Sequence, residues 1–271
     1  MTLKEVGPVV LVGAGKMGFA MASGWIAAGL PPEQLVLVDP QPAPAVVAYA
    51  AEKGVRLVDS PVGILTHVLV LAVKPQVMPA VMAEIAPVVG RHTLVLSIAA
   101  GVLIETIRAG LGTERIVRAM PNTPAQVGKG ISGAVGPGAS AADRQTAEAL
   151  LQAAGQVVWV DSEARLDAVT AVSGSGPAYV FYMVEALAVA GMRQGLEPAQ
   201  AMQLARQMVI GAAALMESDP QPVSVLRENV TSPKGTTAAA LKVLMAPDGL
   251  EDLMDRTVRA ARKRSEELGR G

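Results

Sequence analysis

Three glycines near the start of the chain have the spacing of a phosphate-binding loop. Gly13, Gly15 and Gly18 lie in VVLVGAGKMGFAMASGW, directly after a strand-like apolar run and at the opening of a helical pattern. Gly13 allows a tight turn, Gly15 lets the backbone approach a pyrophosphate, and Gly18 permits close helix packing. The amides of Lys16 and Met17 would face the anion. The array predicts a dinucleotide-binding loop, and the alternative is a glycine-rich turn that binds nothing.

An acidic residue ends the second predicted strand. The run QLVLVDP reaches Asp39 about 20 residues after the glycines, where a carboxylate would accept hydrogen bonds from the adenosine ribose hydroxyls. A carboxylate there repels a 2′-phosphate, and no basic residue follows closely in DPQPAPAV. These residues favour NADH over NADPH, unless Asp39 only caps the turn before Pro40.

Two further strand ends are predicted to face the same ligand. The runs LAVKPQ and LSIAAGV place four residues at carboxyl ends of strands, where ligands bind in an open α/β sheet. Small side chains there would admit a ring or ribose, while the lysine either neighbours the dinucleotide or is a solvated charge. These residues are Val73, Lys74, Ala99 and Ala100. His67 and His92 precede the same strands, so neither is expected to act as a general acid or base.

A second polar group lies in NVTSPKGTTAAALKVL, which begins at Asn229. Ser232 or a neighbour can cap the helix that follows, and free amides at Gly235, Thr236 and Thr237 would form an anion site favoured by the helix dipole. Such a site could hold the carboxylate of a small acid, with the Thr237 hydroxyl reaching a neighbouring nitrogen. The alternative is an ordinary helix cap with nothing bound.

The scarcity of general bases bears on the reaction. A dinucleotide site implies hydride transfer, and oxidising an alcohol normally requires a positioned histidine or lysine. Lys234 lies in the polar loop, whereas Lys242 and Lys263 fall where side chains are usually solvated. Reducing a C=N bond demands less, because an imine can take its proton from water or a hydroxyl. Two alternatives to an enzyme that reduces a C=N bond remain: a β-hydroxyacid dehydrogenase-like enzyme, and a non-catalytic dinucleotide-binding dimer.

Two kinds of domain must position these residues. Short β-branched runs alternate with helical stretches up to Asp161, which is typical of a doubly wound parallel sheet. The pattern then turns helical to the end of the chain. We therefore predict an α/β fold with a Rossmann-type, mostly parallel sheet in residues 1–161. Residues 162–271 would form an all-helical domain for substrate binding and dimerisation.

Composition narrows the partners and the compartment. The chain is 51% hydrophobic and 17% charged, with a net charge of -1, so it lacks the basic excess expected for nucleic acid or anionic membranes. Without cysteine and with two histidines, we expect no metal site. The first apolar run is too short for a signal peptide, which favours a cytoplasmic protein.

The stretch 177–192 is apolar on nearly every helical face. It is shorter than the ~20 residues of a membrane span, so such a helix has to be covered by protein. We expect a dimer with this helix near the interface. The alternative is that the helix is buried within its own chain.

The glycine loop and AVKPQ are followed along the chain by three further motifs: AMPNTPAQVGKGISG, DAVTAVSGSGPAYVFYMVEAL and NVTSPKGTTAAAL. Together they resemble the pyrroline-5-carboxylate reductase family over essentially the whole chain. The resemblance implies reduction of 1-pyrroline-5-carboxylate to L-proline by NAD(P)H, the last step of proline biosynthesis. It also implies a helical domain that interlocks with its partner in a homodimer, with the dimers sometimes assembling into decamers.

The resemblance also implies particular site residues. Its cofactor contacts fall on Val12, Gly13, Ala14, Gly15, Lys16, Met17, Ala72, Val73, Lys74, Pro75, Ile98, Ala99, Ala100 and Asn229. Its substrate contacts fall on Glu163, Ser232, Gly235, Thr236 and Thr237. In that scheme the loop amides and Ser232 hold the carboxylate, and Thr237, the catalytic residue, hydrogen-bonds the ring nitrogen. Positioning, rather than an ionised base, supplies most of the catalysis.

Two positions depart from the family pattern. Lys234 stands where the family commonly has glycine, so its charge either adds to carboxylate binding or points to solvent. Asp39 stands where many members carry a small polar residue and a basic neighbour suited to NADPH. Family habit and local charge therefore disagree on the cofactor.

Overall fold

The computed structural model describes residues 1–269, and the chain divides into two compact units. One unit contains residues 1–175 together with residues 261–269, and the other contains residues 176–260. The predicted domain boundary after Asp161 lies ahead of this division, just before the helix Glu163–Val169. That boundary stays a prediction.

Eight strands form one sheet in the first unit. They are β1 (Val9–Val12), β2 (Leu35–Val38), β3 (Arg56–Val58), β4 (Val68–Leu71), β5 (Leu94–Ser97), β6 (Ile116–Met120), β7 (Gly130–Val135) and β8 (Gly155–Trp159). Their order is β3-β2-β1-β4-β5-β6-β7-β8, and all neighbours are parallel except β6 and β7. The predicted doubly wound, mostly parallel sheet is confirmed. Strand β3 was missed from the sequence.

Helices cover both faces of this sheet because successive strand residues point to opposite sides. The helices are α1 (Lys16–Ala27), α2 (Pro44–Lys53), α3 (Met78–Ile85), α4 (Ile104–Leu111), α5 (Ala141–Gln152) and α6 (Glu163–Val169). Along β1, Leu11 joins an apolar cluster that includes Trp25 of α1, whereas Val10 joins a second cluster that includes Met78 of α3. Burial on both faces explains why the strands read as continuous apolar runs.

The strand order places the predicted ligand-binding residues at one edge of the sheet, the edge formed by the carboxyl ends of its parallel strands. The sequence of strands reverses direction between β1 and β4, and ligands bind outside the carboxyl ends of strands at such a switch point. His67 directly precedes β4 and His92 lies just before β5. Both histidines are therefore at the opposite edge of the sheet.

A π-helical turn, Thr170–Gly174, follows α6. Turns of this kind are rare and often occur at functional sites. Asn122, which is buried beyond the end of β6, donates a hydrogen bond from Nδ2 to the carbonyl oxygen of Ser173 at 3.1 Å. Its Oδ1 accepts from the amide of Ile131 at 3.0 Å. One amide side chain thus ties the π turn to the sheet.

The second unit is built from helices. They are α7 (Gly176–Arg193), α8 (Pro198–Ser218), α9 (Val223–Asn229), α10 (Thr236–Leu244) and the first part of α11 (Leu250–Gly269). Helices α7 and α8 approach closely at Gly191, where an added Cβ would lie 3.4 Å from the Cβ of Ala201. Within residues 176–260, the buried side chains are Ala188, Ala201 and Ala205.

This small core leaves large apolar side chains exposed on the helical unit. Phe181 and Tyr182 of α7 are 64% and 71% exposed, and Leu204 and Ile210 of α8 are more than half exposed. The single chain thus does not bury α7, contrary to the alternative of a helix enclosed by its own chain. Across residues 1–269, we find no helix whose length and apolarity would suffice to cross a bilayer.

Candidate active site

Gly13 and Gly18 close the turn between β1 and α1 where larger residues would not fit. Gly13 has a φ of +97°, and an added Cβ would lie 2.8 Å from the carbonyl oxygen of Ala72. An added Cβ on Gly18 would collide with the carbonyl oxygen of Gly13. Both glycines therefore meet the packing requirements of a dinucleotide loop.

Gly15 is constrained differently, because it faces open space. An added Cβ would meet no atom within 4 Å, and the residue is exposed. Gly15 is the N-cap of α1 and provides no side-chain cap, so the amides of Lys16 and Met17 have no acceptor within the helix. An open glycine at an uncapped helix N-terminus suits a pyrophosphate, since backbone donors and the helix dipole both favour an anion.

Asp39 follows β2 and holds the glycine loop with its carboxylate. Oδ2 accepts a hydrogen bond from the amide of Ala14 at 2.9 Å, and Oδ1 accepts one from the amide of Gln41 at 2.9 Å. The contact with Gln41 is the turn cap that the sequence left open as an alternative. The contact with Ala14 also fixes the carboxylate beside the loop, and its predicted contact with a ribose stays a prediction.

A second carboxylate, missed in the sequence, follows the neighbouring strand. Val38 of β2 pairs with Val58 of β3, and the amide of Asp39 donates to the carbonyl oxygen of Val58 at 3.1 Å. Asp59 comes directly after Val58 and is exposed. Because neighbouring strands lie about 4.8 Å apart, two acidic residues end adjacent strands at the ligand edge. Strand β3 has three residues, too few to show a recognisable pattern.

The segments after β4 and β5 share this edge with the glycine loop. The amide of Ala72 donates to the carbonyl oxygen of Val12 at 2.8 Å, and the amide of Ile98 donates to that of Leu71 at 2.9 Å. This pairing of β1, β4 and β5 brings most of the predicted cofactor residues together at the carboxyl ends of three adjacent strands. The residues are Val12, Gly13, Ala14, Gly15, Lys16, Met17, Ala72, Val73, Lys74, Pro75, Ile98, Ala99 and Ala100.

The side chains at this edge differ in exposure. Ile98 and Ala99 are buried in the two apolar clusters and support the edge from within the domain. Lys74 and Ala100 are exposed. A ligand at this edge would therefore meet Lys74 and Ala100 as side chains, and Ile98 and Ala99 mainly as backbone.

Glu163, a predicted substrate contact, is engaged within its own unit. Its Oε1 accepts a hydrogen bond from Nη1 of Arg118 at 2.7 Å and another from the amide of Ile104 at 3.1 Å. Arg118 is buried on β6, and Ile104 is the first residue of α4. Glu163 therefore neutralises a buried guanidinium and satisfies the first amide of α4. Its contact with the substrate stays a prediction.

The roles of Arg118 and Asn122 were not predicted from the sequence. The available signal for Arg118 was an arginine within the strand-like run RIVRAM, because a charge in a buried strand needs a partner. Asn122 lies in AMPNTP, where a single sequence gives no sign that its amide joins the sheet to a distant π turn.

In the helical unit, the predicted substrate residues form a tight turn before α10. Gly235 is the N-cap and has no side-chain cap, and its amide donates to the carbonyl oxygen of Ser232 at 3.0 Å. The Ser232 hydroxyl lies against Gly235, where an added Cβ would collide with it. The expectation that Ser232 or a neighbour caps this helix was wrong, because the N-cap is a glycine and the amides of Thr236 and Thr237 are left without a side-chain cap. Asn229 ends α9 and is exposed.

Lys234 adopts a left-handed conformation in this turn, with a φ of 60°. Glycine takes this conformation freely, whereas a residue with a side chain pays about 1 kcal/mol. The conformation gives a physical reason for glycine at this position in the family that the sequence resembles. The Lys234 side chain is exposed.

Two protein-family models match the chain. One, described as pyrroline-5-carboxylate reductase dimerisation, matches residues 163–268, and one, described as NADP oxidoreductase coenzyme F420-dependent, matches residues 8–101. The pyrroline-5-carboxylate reductase of Pseudomonas aeruginosa is 41% identical over 264 residues, covering 96% of each chain. That of Arabidopsis thaliana is 36% identical over 270 residues, covering 96% of this chain and 95% of the relative.

Solved structures show the same similarity. A pyrroline-5-carboxylate reductase from Coxiella burnetii has 35% identity and a TM-score of 0.90, covering 97% of this chain and 99% of that chain. A Plasmodium falciparum pyrroline carboxylate reductase with NADP bound has 28% identity and a TM-score of 0.79, covering 97% and 98%. Prephenate dehydrogenase from Aquifex aeolicus, at 15% identity and a TM-score of 0.51 and covering 97% of each chain, shares the fold alone.

Proposed function

Because the chain belongs to the pyrroline-5-carboxylate reductase family and reduces 1-pyrroline-5-carboxylate to proline with NAD(P)H, we propose that NADH is the hydride donor it prefers. We also propose that the turn before α10 binds the substrate, with Thr237 as the catalytic residue. The observation that carries the cofactor proposal is the position of Asp39, whose carboxylate is fixed 2.9 Å from the amide of Ala14.

Charge at the ends of β2 and β3 supports NADH. Asp39 and Asp59 end adjacent strands, and the segment 40–51 contains no lysine or arginine. A 2′-phosphate near Asp39 would meet like charge, and two unit charges about 5 Å apart repel by about 1 to 3 kcal/mol near a protein surface. The Plasmodium falciparum reductase has NADP bound, so the proposal is that this chain differs from that relative at this edge.

The residues of the first unit account for binding of the dinucleotide. The amides of Lys16 and Met17 would hold the pyrophosphate at the open Gly15, and Asp39 would accept hydrogen bonds from the ribose hydroxyls. The segment that carries Lys74 and the one that carries Ala100 would border the rest of the molecule. The bound dinucleotide supplies the hydride.

The turn before α10 offers the groups that a cyclic imino acid needs. The uncapped amides of Thr236 and Thr237 suit its carboxylate, as a helix N-terminus favours an anion. The Thr237 hydroxyl would hydrogen-bond the ring nitrogen, and Ser232 would add a second hydroxyl beside Gly235. Catalysis would rest on holding the substrate in a reactive orientation, since proper orientation alone removes a large part of a barrier.

The chain forms a homo-oligomer through the region that matches the family's dimerisation model, residues 163–268. The exposed apolar side chains of α7 support its place near that interface, because apolar patches of this kind usually mark contact surfaces. Assembly of dimers into decamers and a location in the cytoplasm stay predictions of the sequence.

Steady-state assays with pyrroline-5-carboxylate and either NADH or NADPH test the proposal. We expect kcat/KM to be about tenfold or more higher with NADH, which corresponds to about 1.4 kcal/mol. Binding of 5′-AMP and 2′,5′-ADP gives a matched comparison, because the two ligands differ only in the 2′-phosphate. Preference for NADPH and for 2′,5′-ADP would overturn the cofactor proposal, and no turnover with either dinucleotide would overturn the reductase activity.

A further inference from the structure

The end of α11 belongs to the dinucleotide-binding unit and contacts the segment after β5. Gly101 has a φ of +73°, and an added Cβ would lie 3.2 Å from both the Cβ and the carbonyl oxygen of Leu268. An added Cβ on Gly269 would lie 3.5 Å from Cδ2 of Leu103. The last turn of α11 therefore packs directly against segment 98–103, which links β5 to α4.

A buried hydrogen bond holds this end of α11 in place. The Ser265 hydroxyl donates to Oδ1 of Asp167 at 2.7 Å, and Ser265 is 8% exposed. Asp167 lies on α6, whose first residue, Glu163, accepts from the amide of Ile104 directly after the segment. Helix α6 thus fixes the segment in two ways, at its exit through Glu163 and at Gly101 through the end of α11.

We propose that the last turn of α11 is a positioning element for the dinucleotide, acting through segment 98–103. The inference rests on the proposed function, since the segment carries the cofactor residues Ile98, Ala99 and Ala100. Binding is tighter when the groups that bind are already held in the bound conformation, because less conformational entropy is lost. Ser265 and Leu268 therefore contribute to dinucleotide affinity although they lie outside the predicted contacts.

A pair of glycine substitutions separates this contact from backbone strain. Gly101→Ala places a methyl group against Leu268, while Gly112→Ala adds a methyl group where no atom lies within 4 Å. The two glycines have similar φ values, +73° and +66°, so both variants place alanine at a positive φ of similar size. We expect Kd for NADH to be about 5 to 20-fold higher in Gly101→Ala than in Gly112→Ala, with kcat close to that of Gly112→Ala.

A second pair tests the anchor of the helix and decides the matter if Gly101→Ala does not fold. Ser265→Ala removes the hydrogen bond to Asp167. Thr257→Val removes a hydroxyl whose hydrogen bond stays within α11, from Oγ1 to the carbonyl oxygen of Leu253 at 2.8 Å. We expect Kd for NADH to rise about 2 to 5-fold in Ser265→Ala and to keep its wild-type value in Thr257→Val, with KM for pyrroline-5-carboxylate unchanged in both.

Binding of NADH is measured without substrate, so the inference and the proposed function fail separately. Equal NADH affinity within each pair of variants, in a wild-type protein that binds NADH and turns over, would overturn the inference and leave the function intact. A wild-type protein that binds neither NADH nor NADPH would overturn both. A rise in Kd confined to Gly101→Ala and Ser265→Ala, with urea midpoints matched to the controls, would support the inference.

Discussion

The amide of Ala14 donates a hydrogen bond to Oδ2 of Asp39 at 2.9 Å, so one side chain both fixes the glycine loop and sets the charge beside it. Asp39→Asn removes the charge and keeps an oxygen for Ala14. We expect this variant to raise the NADPH to NADH ratio of kcat/KM about tenfold or more, because about 1.4 kcal/mol of repulsion is lost. Steady-state kinetics with both dinucleotides measure the ratio.

Asp39→Ser distinguishes the two roles of the carboxylate. It removes the charge and also weakens the contact with Ala14, so we expect the same change in ratio together with a higher KM for both dinucleotides. If the ratio is unaltered in both variants, Asp39 does not adjoin the ribose. Any measured preference for NADH would then need another cause.

Removing the charge of Asp59 should also raise the NADPH to NADH ratio of kcat/KM, but by less than removing that of Asp39. Asp59 is exposed and lies one strand away from Asp39, so water and salt screen its charge. We expect Asp59→Asn to raise the NADPH to NADH ratio about 2 to 5-fold, with the gain shrinking as salt is added. Glu33→Gln is a matched control, since Glu33 is exposed just before β2, at the other edge of the sheet. A gain equal to that of the control would exclude Asp59 from cofactor selection.

The sheet, with the glycines and Asp39 at the carboxyl ends of its strands, could be predicted because these signals are local. Buried parallel strands appear as continuous apolar runs, and the glycines and Asp39 follow such runs directly. Strand β3 was missed because it has three residues and its first, Arg56, is exposed. Asp59 was missed with it, since its position beside Asp39 depends on the pairing of β3 with β2.

Contacts between distant segments could not be predicted from one sequence. Glu163 binds Arg118, Ser265 binds Asp167, and Leu268 packs against Gly101, but no periodicity links these positions. The start of α10 was located from the sequence, and the substrate role of the turn before it stays a prediction. Its residues were identified by type, whereas Gly235 as N-cap and the left-handed backbone of Lys234 depend on the folded chain.

The ion pair between Arg115 and Asp143, in the dinucleotide-binding unit, should make the stability of the fold depend on pH in the acid range. Burial of Asp143 works to raise the pKa of its carboxyl, but hydrogen bonds from Arg115 and Ser140 outweigh burial and hold that pKa below its ordinary value. A carboxylate with a lowered pKa stabilises the fold above about pH 4 and loses that contribution as pH falls through the lowered pKa. The free energy of unfolding should therefore decrease as the pH falls below about 4.

Asp143→Asn should remove this part of the pH dependence. Near neutral pH we expect the variant to be less stable by about 1.5 to 3 kcal/mol, the usual value of charged hydrogen bonds. The difference from wild type should shrink between pH 5 and pH 2.5. Urea unfolding at several pH values measures it, and a difference that stays constant over this range would contradict the assigned role of Asp143.

Two substitutions of Lys234 distinguish the effect of its backbone strain on stability from the effect of its charge on substrate binding. Its φ is 60°, so Lys234→Gly should be more stable than Lys234→Ala by about 0.5 to 1 kcal/mol, because alanine keeps the left-handed strain. The side chain is exposed, and we expect KM for pyrroline-5-carboxylate to stay at its wild-type value in both variants. An equal rise of KM in the two would instead assign the ammonium group to carboxylate binding.

Thr237 is a partly buried residue in the first turn of α10, whose N-terminal amides have no side-chain cap. If the Thr237 hydroxyl hydrogen-bonds the ring nitrogen, Thr237→Ala should lower kcat/KM for pyrroline-5-carboxylate about 10 to 100-fold, since about 1.5 to 3 kcal/mol is lost. Thr237→Ser keeps the hydroxyl and should stay within about threefold of wild type. Kd for NADH should be unchanged in both. Unchanged kinetics in Thr237→Ala would refute the catalytic role, and an equal loss in both variants would point to the methyl group instead.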